Sequence, residues 1–411
     1  MKKEKQPQPT KSKLRVLEQL CKLIPVHLVP KLARETGVDK KSRSYTPWSH
    51  VVTMIFSQVA HSVGLNDVCD ALRLNSGPLS AIRGATPPSR NNLSHANEVR
   101  DASLAEKLYW EVLEHLRRLN PGIIPGTNGH GVLRRFRRAI YAIDSTVLPL
   151  VMRCMDWAKH RRRKAAAKCH MRLDLQSFLP KFAIVGSAGQ ADAKRAREVC
   201  ANLSEGEIGI FDRAYLDFGH LEELTQRGVW WVTRAKENLS LSVDTKLPVE
   251  KGSKILKDEI VVLNNPKPGH PESMRRVTAR VEVDGKEREM VFLTNNMEWS
   301  PQTVVDLYGC RWDIEVFFKE IKQTLQLSDF LGQNANAVRW QVWIALLVHL
   351  LMRYLSKLSE WRHSFIRLFA LIRSAMWKPL DAVSLLECYG TAGQQLRMRA
   401  APDQAYLPGF A

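Results

Sequence analysis

From Leu14 to about Leu119, apolar residues recur every three to four positions, as in VVTMIFSQVAHSVGLNDVCDAL and LAEKLYWEVLEHLRRL. That period predicts an all-helical first module, with GATPPSRNNLS (84–94) as a break inside it. NPGIIPGTNGHG (120–131) is dense in turn-forming residues and runs into Arg134, Arg135, Arg137 and Arg138, so a module boundary is expected there. Beyond it the period changes. AIYAIDSTVLPL, CHMRLDLQS and PKFAIVGSA read as strands, Asp192 to Leu203 as a helix and IGIFD as a fourth strand, which together suggest an α/β sheet domain. Leu216 to Arg227 reads as a helix, VWWVTR as a strand, and KDEIVVLN and RVTARVEVDGKEREMVFLTN continue as strands, with Asp284-Gly285 at a tight hairpin turn. Helical spacing returns over Pro301–Leu325 and Val338–Leu358, and Trp361–Ala411 begins helical before its periodicity fades. The expected organisation is a helical domain (1–120), an α/β core in two parts (132–234 and 300–360) separated by a β-rich insertion (235–299), and a helical tail (361–411).

At 411 residues, 45% hydrophobic and 25% charged, the chain has the composition of a folded protein of several domains. Its 61 Lys and Arg against 42 Asp and Glu leave a formal charge of +19. Nucleic acid is the natural partner for that excess, although membrane-surface proteins and plain basic enzymes share it. The seven cysteines are scattered and form no Cys-x-x-Cys pair, so they read as reduced cytoplasmic thiols. No apolar run follows the basic start Met1–Lys13, which argues against a secretory signal and for a protein kept inside the cell. The most apolar stretch, Trp340–Leu355, is interrupted by Gln341, His349 and Arg353 and falls short of the roughly 20 residues a bilayer needs. It is expected to be a buried helix rather than a membrane span.

Asp144 sits inside the apolar strand YAIDSTVLPL and Asp212 at the end of IGIFD. An ionised carboxylate there needs a cation or hydrogen-bond donors. Either residue taken alone is also explained as a strand-end Asp capping the next turn. A third carboxylate lies in YGCRWDIEVFFKEIKQTLQL. On a regular helix Tyr308, Arg311, Glu315 and Lys322 fall within a sector of about 60°. The apolar stripe Ile314, Phe317, Ile321 and Leu325 lies beside it, as expected of a cleft-lining helix. The competing reading is a solvated face with an Arg311–Glu315 pair at i,i+4, which explains the charges but not Tyr308. Two strand carboxylates and one helix carboxylate suit two Mg²⁺ ions in phosphoryl transfer. Arg311, Lys322 and Tyr308 could then hold the phosphates flanking the reacting one.

The residues resemble the transposases of insertion-sequence family four, whose Tyr-Arg-Glu-Lys signature has intervals of two, three and six residues. Tyr308, Arg311, Glu315 and Lys322 match every interval. AIDSTVLPL, KCHMRLDL (168–175), DRAYLDF and FLTNN extend the resemblance over most of the chain. It implies an RNase H-like core with a β insertion between the second and third acids. It also implies Mg²⁺ or Mn²⁺ on Asp144, Asp212 and Glu315, and DNA contacts from Tyr308, Arg311 and Lys322. The helical front module, including SHANEVRD (94–101), is then expected to recognise terminal inverted repeats of double-stranded DNA, with a homodimer pairing the element ends before they join target DNA. Some members open a DNA hairpin with a tryptophan stacked on a flipped base. Trp299 is the candidate here, against the alternative that it is simply packed or anchored at the surface.

KHRRRKAAAKCH (159–170) connects the first two strands, so Arg161, Arg162, Arg163, Lys168 and His170 are assigned to DNA contact, with an exposed solubilising loop as the alternative. No His pairs with a Cys or a second His at zinc-ligand spacing. The function expected is metal-dependent cleavage and strand transfer at the ends of an insertion sequence. The rivals are a structure-specific nuclease on the same RNase H-like fold and a catalytically retired transposase that only binds DNA.

Overall fold

The computed structural model describes residues 8–40, 44–120, 131–150, 159–161, 164–187, 192–283, 285–324 and 331–389. Arg162, Arg163, Cys154, Asp284, Leu325, the stretch 121–130 and the tail beyond residue 389 lie outside the described residues. The chain divides into two compact units. One gathers Met1–Ile123, Leu148–Ala166 and Lys319–Ala405, the other Ile124–Val147, Ala167–Phe318 and Tyr406–Ala411.

In the first unit the helices are α1 (Val16–Lys22), α2 (Leu28–Glu35), α3 (Pro47–Ala60), α4 (Leu65–Leu74), α5 (Ser76–Ser80), α6 (Arg90–Val99) and α7 (Ser103–Leu119). Thr46 starts α3 by accepting the Ser49 N–H at 3.0 Å, and Pro47 occupies the first turn, where no N–H is missed. After the second unit's elements the chain returns with three helices (Ala335–Leu358, Phe365–Ala375 and Ala382–Cys388), labelled α12 to α14 below. Helix α12 packs on α3, α6 and α7. It begins at Asn334, which caps Ala337 at 2.7 Å, and its 24 residues exceed the apolar run read from the sequence. That makes it long enough to cross a membrane, which corrects the expected shortness, yet 83% of its most apolar window is buried by its neighbours.

His50 illustrates how tightly this unit is packed. Its ring lies 4.4 Å from that of Trp340, and its Nε2 is 2.9 Å from the Asn97 Oδ1. Burial, with Arg100 nearby, lowers its pKa from 6.5 to about 3, so the folded chain holds it neutral while the unfolded chain protonates it. The stabilisation is complete above pH 6.5 and declines as pH falls toward 3, by up to about 1.4 kcal/mol per unit. His50→Gln should therefore lose less stability than wild type between pH 7 and 4.5 in urea titrations. Parallel losses in the two proteins would refute this role.

The second unit holds most of a large sheet. Its strands are β1 (Ile140–Leu150), β3 (Lys164–Asp174), β4 (Leu179–Ser187), β5 (Ile208–Phe211), β6 (Trp230–Arg234), β7 (Leu241–Lys246), β8 (Ile255–Leu263), β9 (Met274–Val283) and β10 (Lys286–Thr294). The order is β3-β1-β5-β6-β10-β9-β8-β7, with β4 also on β3. The short β2 (Lys159–Arg161) pairs with the first residues of β3. Strands β5 and β6 run parallel to β1 and to each other, whereas β7 to β10 are antiparallel throughout. In the β9–β10 hairpin Val283 faces Lys286, and Gly285 takes φ +69°, a conformation suited to glycine. The sequence reading did not single out β7, whose side chains are mostly exposed and carry no apolar alternation.

Helices α8 (Asp192–Val199) and α9 (Phe218–Gln226) cover one face of the sheet. Tyr141 and Ile143 of β1, Phe211 of β5 and Trp231 of β6 join Ala196, Val199, Leu221 and Leu224 in that core. Helix α10 (Pro301–Gly309) packs on β6, β8, β9 and β10, and Tyr308 meets Phe292 at 5.0 Å between ring centres. Since Phe292 alternates with Leu293 of the opposite core, α10 lies on the other face.

Candidate active site

Two carboxylates meet where the pairing of the neighbouring parallel strands β1 and β5 ends. Ile143 pairs with Phe211, so Asp144 and Asp212 are each the next residue along adjacent strands about 4.8 Å apart. Alternation buries Ile143 and Phe211 in the α8–α9 core and turns Asp144 and Asp212 to the opposite face. The carboxyl ends of parallel strands are where α/β proteins place ligand sites. Asp212 also caps the short 3₁₀ turn Arg213–Tyr215, accepting the Ala214 N–H at 3.3 Å, so the capping reading and a functional one hold together.

The third carboxylate reaches Asp144 through an arginine. Arg311 donates from Nη1 to Asp144 Oδ2 at 2.8 Å and from Nη2 to Glu315 Oε1 at 2.6 Å. Arg311 is 9% exposed, Asp144 17% and Glu315 39%, so the pairs sit at the edge of the interior. Burial raises the Asp144 carboxyl from its ordinary range to about 6, and the charges of Asp212 and Glu315 push the same way. Arg311 and the Ser145 N–H offset part of that shift. Burial, and after it the Asp212 charge, also lift the Tyr308 phenol, which Arg311 opposes from 5.7 Å above the ring. Asp144, Asp212, Glu315, Arg311 and Tyr308 thus form one electrostatic cluster. As the side chains stand, no three metal-ligating groups converge on a point among the described residues. The donor chemistry nevertheless suits a hard divalent ion, being three oxygen acids whose mutual repulsion is visible in Asp144.

The single helix expected over 301–325 is broken, so the four signature residues do not share one helical wheel. α10 ends at Gly309, and a tight turn carries Arg311, whose N–H bonds the Tyr308 carbonyl at 3.0 Å. α11 (Trp312–Lys319) carries Glu315, and a π-helical turn, Glu320–Thr324, carries Lys322. That turn has an anchor in its own unit. Glu320 is buried and accepts from Arg353 at 2.7 Å through both oxygens, with His349 Nε2 at 3.0 Å. A buried carboxylate locked in that way fixes the π geometry against the regular spacing.

The other described residues expected to contact DNA lie on several elements. Lys168 is half-buried on β3 opposite Gly186, and Arg161 ends β2. His170 is buried and bonds Tyr215. Trp299 is half-buried, 5.4 Å from Phe136 and 6.1 Å from Trp230 between ring centres. Its carbonyl accepts from Arg275 at 2.5 Å. Arg234 was missed by the sequence reading. It ends the third parallel strand one residue past the Phe211–Thr233 pair, level with Asp212, and its charge acts on Tyr308. Its one signal was the strand-final position in VWWVTR.

A family model described as Transposase DDE domain matches residues 135–351, and one described as a domain of unknown function (DUF4372) matches residues 12–82. A chain from Sinorhizobium fredii named as transposase y4zB is 28% identical over 288 residues, 69% of this chain and 79% of that protein. The transposase for insertion sequence element IS231E of Bacillus thuringiensis subsp. finitimus is 22% identical over 369 residues, 76% of this chain and 74% of that one. Transposase InsG for insertion sequence element IS4 of Escherichia coli is 24% identical over 197 residues, 46% of this chain and 44% of that protein. A piggyBac transposase in a synaptic complex with hairpin DNA aligns over 86% of this chain and 78% of that one, with TM-score 0.41 and 11% identity.

Proposed function

The chain belongs to the Transposase DDE domain family, and from that premise we propose that it is an insertion-sequence transposase which binds the element's terminal inverted repeats, cuts the DNA there and joins the ends to a target. The observation that carries the reading is the level placement of Asp144 and Asp212 on adjacent parallel strands, with Arg311 tying Asp144 to Glu315. The family implies a divalent metal cofactor. Asp144, Asp212 and Glu315 are the residues that would hold it, as two Mg²⁺ or Mn²⁺ ions. When bound, the ions supply activation of a water or 3′-hydroxyl and stabilisation of the leaving oxygen. The strand order β4-β3-β1-β5-β6, antiparallel between β3 and β4 and parallel from β1 to β6, supports an RNase H-like core with β7 to β10 inserted.

The chain's own residues orient the DNA. Arg311 and Tyr308 border the carboxylates and would grip the phosphates beside the scissile one, with Lys322, Lys168 and the basic run Arg161, Arg162 and Arg163 holding the flanking backbone. The formal charge of +19 supports such a footprint on double-stranded DNA. In this reading residues 1–120, including Ser94–Asp101, recognise the element ends, a homodimer pairs them, and the protein works at the bacterial nucleoid. Trp299, in edge contact with Phe136 and Trp230, is the residue that would stack on a flipped base.

The test is cleavage and strand transfer on labelled element-end DNA with Mg²⁺ or Mn²⁺, comparing wild type with Glu315→Gln. We expect wild type to cut and join and the variant to lose about 100- to 1,000-fold in rate while still binding the ends, the scale on which charge stabilisation acts in such sites. Cutting without joining favours a nuclease. Binding without metal-dependent products favours a retired enzyme, and undiminished cleavage by Glu315→Gln removes Glu315 from the site.

A further inference from the structure

His170 is 2% exposed on β3, out of reach of a phosphate, so its role lies inside the protein. Its Nδ1 is 2.9 Å from the Tyr215 hydroxyl. Tyr215 is 1% exposed, and a buried phenol takes a hydrogen-bond partner when the fold provides one. The position of Tyr215 gives that bond its meaning, because the residue closes the 3₁₀ turn that Asp212 opens. The Tyr215 N–H bonds the Asp212 carbonyl at 2.9 Å, and the Ala214 N–H bonds the Asp212 carboxylate.

Asp212 faces the carboxylate side of the sheet, whereas Tyr215, three residues on, returns to the core with Ile143 and Phe211 on the opposite side. The turn is therefore held at both ends, and three residues leave little slack between them. His170 secures the Tyr215 end from β3, and β1, the strand carrying Asp144, lies between β3 and β5 in the sheet. One hydrogen bond thus spans the strand of the first acid and steadies the turn of the second.

We propose that His170 is a positioning residue that sets the Asp212 carboxylate through Tyr215. The inference rests on the reading of Asp212 as a metal ligand. Groups that orient metal ligands from behind commonly matter 10- to 100-fold in metal affinity or activity.

The experiment compares Tyr215→Phe, which removes a single oxygen and keeps the packing, with His170→Phe and with His170→Asn, which retains a polar atom near the place of Nδ1. Three quantities are read: Mn²⁺ binding to the complex with element-end DNA by electron paramagnetic resonance, kcat and KM for strand cleavage, and the urea midpoint. Tyr215→Phe and His170→Phe should each weaken Mn²⁺ binding and lower kcat about 10-fold without changing the KM for DNA. The double Phe variant should be no worse than either alone, and His170→Asn should recover most of the loss. A lowered urea midpoint with Mn²⁺ binding and kcat intact would show a merely structural bond and overturn the proposal. Asp212→Asn separates the two ideas. If it still binds Mn²⁺ and cleaves, the site reading falls and the positioning role with it. If it is inactive while Tyr215→Phe matches wild type, only the positioning role falls.

Discussion

Arg311→Ala is expected to destabilise the protein by about 2–3 kcal/mol in the absence of divalent ions and to regain most of that stability when Mn²⁺ is added. The guanidinium bonds Asp144 at 2.8 Å and Glu315 at 2.6 Å, and among the described residues no other ion pair involves either carboxylate. Removing one partner of a fully buried pair costs about 3–5 kcal/mol because the remaining charge stays desolvated. The exposure of Glu315, at 39%, lets water relieve part of that cost. A divalent ion held by the proposed ligands Asp144 and Glu315 would compete with Arg311 for those carboxylates, so it should bind the variant more tightly and stabilise it more than it stabilises wild type. Urea titrations with and without Mn²⁺ read both effects. Adding Asp144→Asn to Arg311→Ala should cancel much of the deficit by removing the stranded charge. Equal stabilisation of wild type and variant by Mn²⁺ would mean that the ion does not bind where Arg311 does.

The second large effect lies in the antiparallel pair β8 and β9. Asp258→Ala should cost about 3–5 kcal/mol, whereas Glu259→Ala, one residue along the same strand, should cost no more than about 1–2. Both carboxylates pair with arginines on β9, Asp258 with Arg275 and Glu259 with Arg276. Asp258 and Arg275 are 3% and 4% exposed, while Arg276 is 21% exposed and can turn to water when its partner is lost. Arg275 cannot turn. It also donates to the carbonyls of Met297 and Trp299, which lead into α10. Replacing both Asp258 and Arg275 with leucine should recover part of the loss, because an uncharged pair leaves nothing desolvated, although the two carbonyls then lack their donor. Equilibrium unfolding of the three variants decides the matter, and similar losses for Asp258→Ala and Glu259→Ala would contradict the assignment of their burial.

Much of this protein is written in local pattern. The change from a period of three to four residues to a period of two marks where helices yield to sheet near Ile140 and where helices resume at Pro301, because burying one face of an element requires that period. An acid inside YAIDSTVLPL and another after IGIF stand out for the same reason, since an apolar strand tolerates a carboxylate only in a compensated place. The spacing of Tyr308, Arg311, Glu315 and Lys322 is likewise readable along the chain.

Other features depend on partners far away in sequence. That β1 and β5 are parallel neighbours in one register, bringing Asp144 level with Asp212, follows from pairing across 68 positions, as between Ile140 and Ile208. The helix wheel failed for the signature residues because two interactions override regular spacing, the turn at Arg311 and the buried Glu320 held by Arg353 and His349. His170 looked like a phosphate ligand among basic neighbours, yet its strand position buries it against Tyr215. The helices from both ends of the chain belong to one compact unit, which no local period reports. A period states that a face is buried but not what covers it, so the elements belong to the sequence, while the identity of each charged residue's partner is settled only by the folded chain.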